Sequence, residues 1–311
     1  MNEPVVALLE KLEREAKGIE KQLALPWRQM NFGLGGGLGV GTLSFLAGQP
    51  GAGKSFMATL ICLLAESEGW RWQYMPLEKD RVYALRRFLA CHFRRWDVLK
   101  PENAETTRRL LEDDDDAYAL MVKAGDCISE NPFRGVIDDS GRRVYPPVYF
   151  SDVVEDIRRH CERKDLVIVD PMAAIEFDDG SRDQYENQKR FVRELSAVAA
   201  ETGCRVVVVH HVRKASGPQQ SIGLDEIAGS SGIGRFSDNA ITVEFLKQPQ
   251  ESEILCPSGM TRFITHEKIV TLPKCKDGPG TNWKIAGDLD REHLAWVEHG
   301  IIRTKTKGVR N

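Results

Sequence analysis

The sequence predicts an α/β chain built on a doubly wound, mostly parallel sheet, with helices on both faces and antiparallel strands added at the C-terminal end. Three observations predict it. Short apolar runs of strand length at 43–47, 166–170 and 204–209 alternate with longer segments of helical spacing. The first run is followed by GQPGAGKS and then FMATLICLLAES, which read as strand, glycine loop and helix. The residues richest in chemistry (Gly48 to Ser55, Glu78, Asp170 and His210) all fall at the carboxyl ends of strands, where such sheets bind ligands.

In chain order, residues 1–25 form an amphipathic segment. Val5, Leu8, Leu9, Leu12, Ala16 and Ile19 recur at helical spacing, predicting a helix from Val5 to Leu23 that folds back on its own domain or docks on a neighbouring subunit. The main domain, 26–300, opens with a glycine-rich lead to the first core strand. Gly48, Gln49, Pro50, Gly51, Ala52, Gly53, Lys54 and Ser55 fit G-x-x-x-x-G-K-[ST], with Phe56 opening the helix behind them. Glycines let such a loop turn tightly and aim its N–H groups at phosphate oxygens, and the helix dipole adds positive potential. Lys54 is placed to reach the β- and γ-phosphates of ATP, and the Ser55 hydroxyl to ligate Mg²⁺.

WRWQYMPLE reads as a second strand ending at Glu78, and Lys79 to Arg95 as a helix with Val82, Leu85, Phe88, Leu89 and His92 on one side. Glu78 either favours that helix's N-terminus or serves as a general base activating water. From 98 to 147 periodicity fades, which predicts a partly helical, solvent-exposed insertion whose acidic run, Asp113 to Asp116, is a solvated face. Next come a helix near 151–163 and LVIVD, whose Asp170 is a candidate to hold Mg²⁺ through water. A helix from about Tyr185 to Thr202 stops at Gly203. CRVVVV then ends in His210 and His211, followed by Arg213 and Lys214 and a polar, glycine-rich loop that includes Gly229, Ser230, Ser231 and Gly232. Strands from 241 to about Val297 complete the sheet, and the basic tail 301–311 is expected to be disordered.

Net charge is −3, so any nucleic-acid contact must come from local basic loops. The N-terminus is too charged for a signal peptide and no long apolar stretch occurs, which points to a cytoplasmic chain without a membrane span. Seven cysteines without C-x-x-C pairing read as small core residues of a reducing compartment, and zinc is not expected.

From 26 to 297, the insertion aside, the chain resembles the RecA-like hexameric replicative helicases of the DnaB and Twinkle type and the plasmid RepA type. The resemblance makes Glu78, at the end of MPLE, the catalytic base and LVIVD the magnesium strand. It makes His210, with His211 the close alternative, the sensor of the γ-phosphate. EIAGSSGIGRFSDNAITV resembles the family's stretch after its second DNA loop. The family's late K-x-R motif, which reaches a neighbour's nucleotide site, is here Lys274, Cys275 and Lys276. A lysine thus replaces the arginine finger, as in RecA itself, which uses two lysines in trans. The resemblance implies an ATP-driven homo-hexamer acting on single-stranded DNA in replication through Arg213, Lys214 and the 229–232 stretch, with a separate primase, loader or polymerase. The alternative in another class is an ATP-dependent recombination or repair filament, or an ATP-switched DNA-binding module that does not unwind. A metabolic P-loop kinase fits the Glu78, His210 and polar-loop combination poorly.

Overall fold

The computed structural model describes residues 3–303 except 19, 132–135, 138, 145–148, 173–174, 176–183, 213–222, 225–226 and 228–230. One eight-stranded sheet organises the chain. Its strands are β1 (Leu43–Gly48), β2 (Trp72–Pro76), β5 (Leu166–Asp170), β6 (Arg205–His211), β7 (Asn239–Leu255), β8 (Thr261–Lys274), β9 (Trp283–Asp290) and β10 (Ala295–Ile302), in the order β10-β9-β8-β7-β1-β6-β5-β2. From β7 to β2 all neighbours run parallel, and β8, β9 and β10 are added antiparallel. The far end of β10 pairs back on the far end of β7, Ile301 opposite Leu255, so the late strands curl round on themselves. A separate hairpin, β3 (Val136–Ile137) with β4 (Arg143–Val144), lies in the insertion.

The central strands are mostly apolar, with Ser44 and Gln73 as buried exceptions, because both faces are covered. Successive side chains point to opposite faces, and this divides each strand between two cores. Leu46, Ile168, Val207 and Val209 face α3 (Lys54–Ser67) and α4 (Arg81–Phe93), meeting Met57, Ile61 and Phe88. Phe45, Val167, Val206 and Val208 face α7 (Phe150–Cys161) and α8 (Gln184–Thr202), meeting Ile157, Phe191 and Leu195. Each of these side chains contributes about 2 kcal/mol by leaving water, which makes the strand register hard to slip. Six of the seven free cysteines are buried, as a core role requires; Cys256 is partly exposed.

Several elements depart from the sequence expectation. The first helix, α1 (Glu3–Ala16), ends well before Leu23, because Leu23 exchanges backbone hydrogen bonds with Leu38 and draws the chain into an extended path. The glycine-rich lead contains a short helix, α2 (Arg28–Gly33), whose free N-terminal groups at Gln29 and Met30 donate to the Glu298 carboxylate of β10 at 2.6 and 3.0 Å. In α4 the buried face is Ala84, Phe88, Leu89, Ala90 and Cys91, while Val82 and His92 are exposed.

The insertion carries α5 (Ala104–Glu112) and α6 (Asp115–Cys127), and is less exposed than its composition suggests. Ala117, Ala124 and Cys127 are buried, and Ser129 donates its N–H to the Tyr74 carbonyl at the sheet edge. Within the acidic run, Asp114 accepts from Ala117 N–H at 2.8 Å and caps α6, so the run is more than a solvated face. Ser231 and Gly232 begin a helix, α9 (Ser231–Phe236), where a loop was expected. The basic tail starts later than 301, since Ile301 and Ile302 belong to β10. No helix among the described residues is long and apolar enough to cross a membrane.

Candidate active site

The site forms where β1, β2, β5 and β6 end. Gly53, at φ +98°, turns the backbone through the left-handed region that glycine alone enters freely and starts α3 directly at Lys54. The Lys54 side chain is 4% exposed and folds back over the loop, donating to the Gly48 carbonyl at 2.9 Å and the Gln49 carbonyl at 2.8 Å. Burial pulls its ammonium down to about 8, against the Asp170 and Glu78 carboxylates, which favour the charge.

Glu78 lies two residues beyond β2 and not within it. Asp80, whose carboxylate accepts from Tyr83 N–H at 2.7 Å, caps α4. The helix-favouring role open to Glu78 is thereby filled elsewhere, and Glu78 stays half-exposed in the site. Asp170, 6% exposed, closes β5 and accepts from the buried Tyr74 hydroxyl, with Arg87 Nη1 3.8 Å away. Burial raises the Tyr74 hydroxyl well above its ordinary value, with Asp170 adding to the effect, so it remains a donor. Ser55, Glu78, Asp170, Tyr74 and Arg87 line one cavity.

The two histidines at the end of β6 part company because successive strand residues face opposite sides. His210 turns into the α8 core, edge-on to Phe45 with ring centres 6.4 Å apart. Burial drops its pKa to about 4, His211 adding to the effect, and its Nδ1 is buried without a hydrogen-bond partner. His211 faces the phosphate loop instead. Its Nδ1 lies 3.2 Å from Lys54 Nζ and its Nε2 3.5 Å from Glu78 Oε1. An ammonium only donates, so Nδ1 is the acceptor and the ring proton sits on Nε2, toward Glu78.

Lys274 and Lys276 lie at the other end of the strands, where the parallel ones begin. Lys274 Nζ donates to the Gly234 and Ser237 carbonyls at 2.9 and 2.6 Å, and Lys276, beyond the end of β8, pairs with Asp238 at 2.7 Å. Asp238 accepts from Leu43 N–H at the start of β1, so both lysines are a strand's length, roughly 20 Å, from their own phosphate loop. Arg213, Lys214, Gly229 and Ser230 lie outside the described residues, and of Ser231 and Gly232 only the helical backbone is described.

A family model described as an AAA domain matches residues 21–217, more than half of the sequence. The chain belongs to that family. Among solved structures, one that comprises an ATPase domain matches at 13% identity with a TM-score of 0.64, covering 96% of this chain and 99% of that one. The KaiC-like protein PH0186 from the hyperthermophilic archaeon Pyrococcus horikoshii OT3 matches at 14% identity with a TM-score of 0.55, covering 90% and 99%. Identities this low establish a shared fold only; together with the family match and the phosphate-loop sequence, they make the chain a P-loop ATPase of RecA-like architecture. No curated protein matches its sequence.

Sequence reasoning missed three residues of this ATPase site. Tyr74 and Arg87 support Asp170 from positions that read as ordinary strand and helix residues. Lys268 reaches the phosphate loop from β8. Motif spacing could not have found them, because Tyr74 and Lys268 act across strand pairings and Arg87 acts from the packing of α4 on the sheet.

Proposed function

We propose that this ATPase is a ring-forming helicase or translocase, acting as a homo-hexamer on single-stranded DNA in replication, with ATP hydrolysed at subunit interfaces. One observation carries the reading: Lys54, Ser55, Glu78, Asp170 and His211 meet at the carboxyl end of the parallel strands, while Lys274 and Lys276 lie at the opposite end. The two sets complete each other only between two copies of the chain.

Within one subunit, Lys54 moves from its resting carbonyls to the phosphates, and Glu78 takes the proton of the attacking water. The cavity fits a hard cation: it offers a hydroxyl and a carboxylate, Ser55 and Asp170, and no cluster of three or more metal-binding side chains occurs among the described residues. Ser55 and Asp170 would hold a Mg²⁺ ion there, which would supply positive charge against the developing negative charge. We assign the γ-phosphate sensor to His211 in place of His210, on its contact with Lys54.

A neighbour's Lys276 supplies the missing positive charge. Val5, Leu8, Leu9 and Leu12 of α1 are all exposed, an uncovered apolar stripe suited to docking on the adjacent subunit in a cytoplasmic ring. DNA is gripped by the segments after Asp170 and His211, including Arg213, Lys214 and the 229–232 stretch. A primase, loader or polymerase acts as a separate protein. A second reading, an ATP-dependent recombination filament or a switched binding module, is favoured by lysine standing where an arginine finger is expected, since lysine lacks the bidentate fork.

ATP hydrolysis measured with and without single-stranded DNA tests the proposal. Stimulation by DNA is expected, and closed rings by negative-stain microscopy with an ATP analogue and DNA. Turnover indifferent to DNA would contradict the first part, and open filaments would favour the second reading.

A further inference from the structure

Lys268 is a lysine where its strand calls for an apolar side chain. It shares a face of β8 with Val270 and Leu272, both in the hydrophobic core, and is only 1% exposed. A lysine is almost never buried to this degree unless paired. Its ammonium donates to the Ala52 carbonyl of the phosphate loop at 3.1 Å and sits 4.8 Å from the centre of the Phe245 ring. Among the described residues no ion pair involves it, and Asp288, on the next strand, is engaged by His299 at 2.7 Å. Burial lowers its pKa, and Arg291 adds to the effect.

The contact fixes a specific peptide unit. Ala52 is tied on its other side by its N–H, which donates to the Gln49 carbonyl at 3.1 Å. The Ala52 carbonyl and the Gly53 N–H belong to one trans peptide and point in opposite directions. With the carbonyl drawn to β8, the Gly53 N–H is turned away from β8 and into the loop. Binding a cation at the carbonyl also polarises that N–H as a donor.

We infer that Lys268 is a positioning residue of the phosphate site, holding the 52–53 peptide with its N–H toward the ligand and keeping behind the loop a positive charge that a bound polyphosphate would meet. The inference rests on the nucleotide reading above and deepens it. The test uses the full chain and three variants. Lys268→Met keeps the length of the stem and removes the charge, Lys268→Gln keeps a donor without the charge, and Lys54→Ala is the control. Each is titrated with ADP and with inorganic tripolyphosphate, and its melting temperature is recorded with and without ligand.

For Lys268→Met the ligand-free melting temperature should stay at or above the parent's, because a buried unpaired cation has been removed. Affinity for both ligands should fall about 10-fold or more, with a smaller ligand-induced rise in melting temperature, and Lys268→Gln should lie between. Parental affinities overturn the inference, as does a loss of affinity that comes with a lower ligand-free melting temperature, which would make Lys268 a structural residue. Lys268→Gln carries the same test if the methionine variant does not fold. Failure of the nucleotide reading shows separately, as a parent that binds neither ligand or binds both no better than Lys54→Ala does.

Discussion

Lys54 combines burial with a surviving positive charge, since an ammonium with a pKa of about 8 is still mostly protonated at neutral pH. Lys54→Ala should therefore abolish ATP hydrolysis by removing the main cation at the transferred phosphate, and undiminished turnover in a steady-state assay would refute its role. Glu78→Gln should keep ATP binding while losing hydrolysis by about 10²-fold or more, read as unchanged affinity in titration beside a collapsed rate. His210 makes a different prediction because it is buried neutral. Its folded pKa of about 4 lies below the ordinary 6.5, so between these values the unfolded chain takes up a proton that the folded chain refuses. Stability from this source is complete above pH 6.5 and is lost as pH falls toward 4, by about 3 kcal/mol at most. Urea unfolding at pH 7.5 and pH 4.5 should show that loss in the parent and a smaller one in His210→Leu. Glu78 was singled out as the base only through the family resemblance, whereas Lys54, Ser55 and Asp170 became candidates through motif spacing. Spacing could not separate His210 from His211, because one step along a strand reverses the face and only the pairing of β6 with β1 fixes which ring meets Lys54.

Among the described elements, α1 leaves four large apolar side chains, Val5, Leu8, Leu9 and Leu12, exposed. Deleting residues 1–18 should therefore leave the melting temperature within a few degrees of the parent, yet shift the oligomer to smaller species in sedimentation. A large fall in stability would show instead that α1 belongs to its own domain. The apolar strands and the two helical faces could be read directly, because continuous apolar runs and a period near 3.6 have few other solutions. The end of α1 could not, because helical spacing continues to Ile19 while the pairing of Leu23 with Leu38 is a long-range backbone event. The burial of the insertion was hidden for a similar reason, since the small residues Ala117 and Ala124 carry the contact and weigh little in any hydropathy pattern. The segment after His211 is tested through Arg213 and Lys214. Neutralising both should weaken single-stranded DNA binding and flatten its dependence on salt. Equal affinity and slope would move the DNA site elsewhere.

At the scale of the whole molecule, the sheet separates the two sets of residues that the proposed reaction would join between subunits. β1, β2, β5 and β6 deliver the phosphate loop, Glu78, Asp170 and His211 to one end of the sheet, and antiparallel β8 leads to Lys274 and Lys276 at the other. Close packing sets that distance: Gly278, in the turn after the lysines, lies against α2 so tightly that a Cβ there would stand 2.1 Å from the Gly33 carbonyl oxygen. The turn is held by its own domain, so the lysines cannot swing across to their own phosphate loop. The most direct measurement mixes two inactive variants, Lys276→Ala and Glu78→Gln, in assemblies shown to exchange subunits. Each alone should fail to hydrolyse ATP, while the mixture regains part of the activity, because some interfaces then join an intact Glu78 to an intact Lys276. Full activity of Lys276→Ala alone, or no recovery on mixing, would contradict a site shared between subunits.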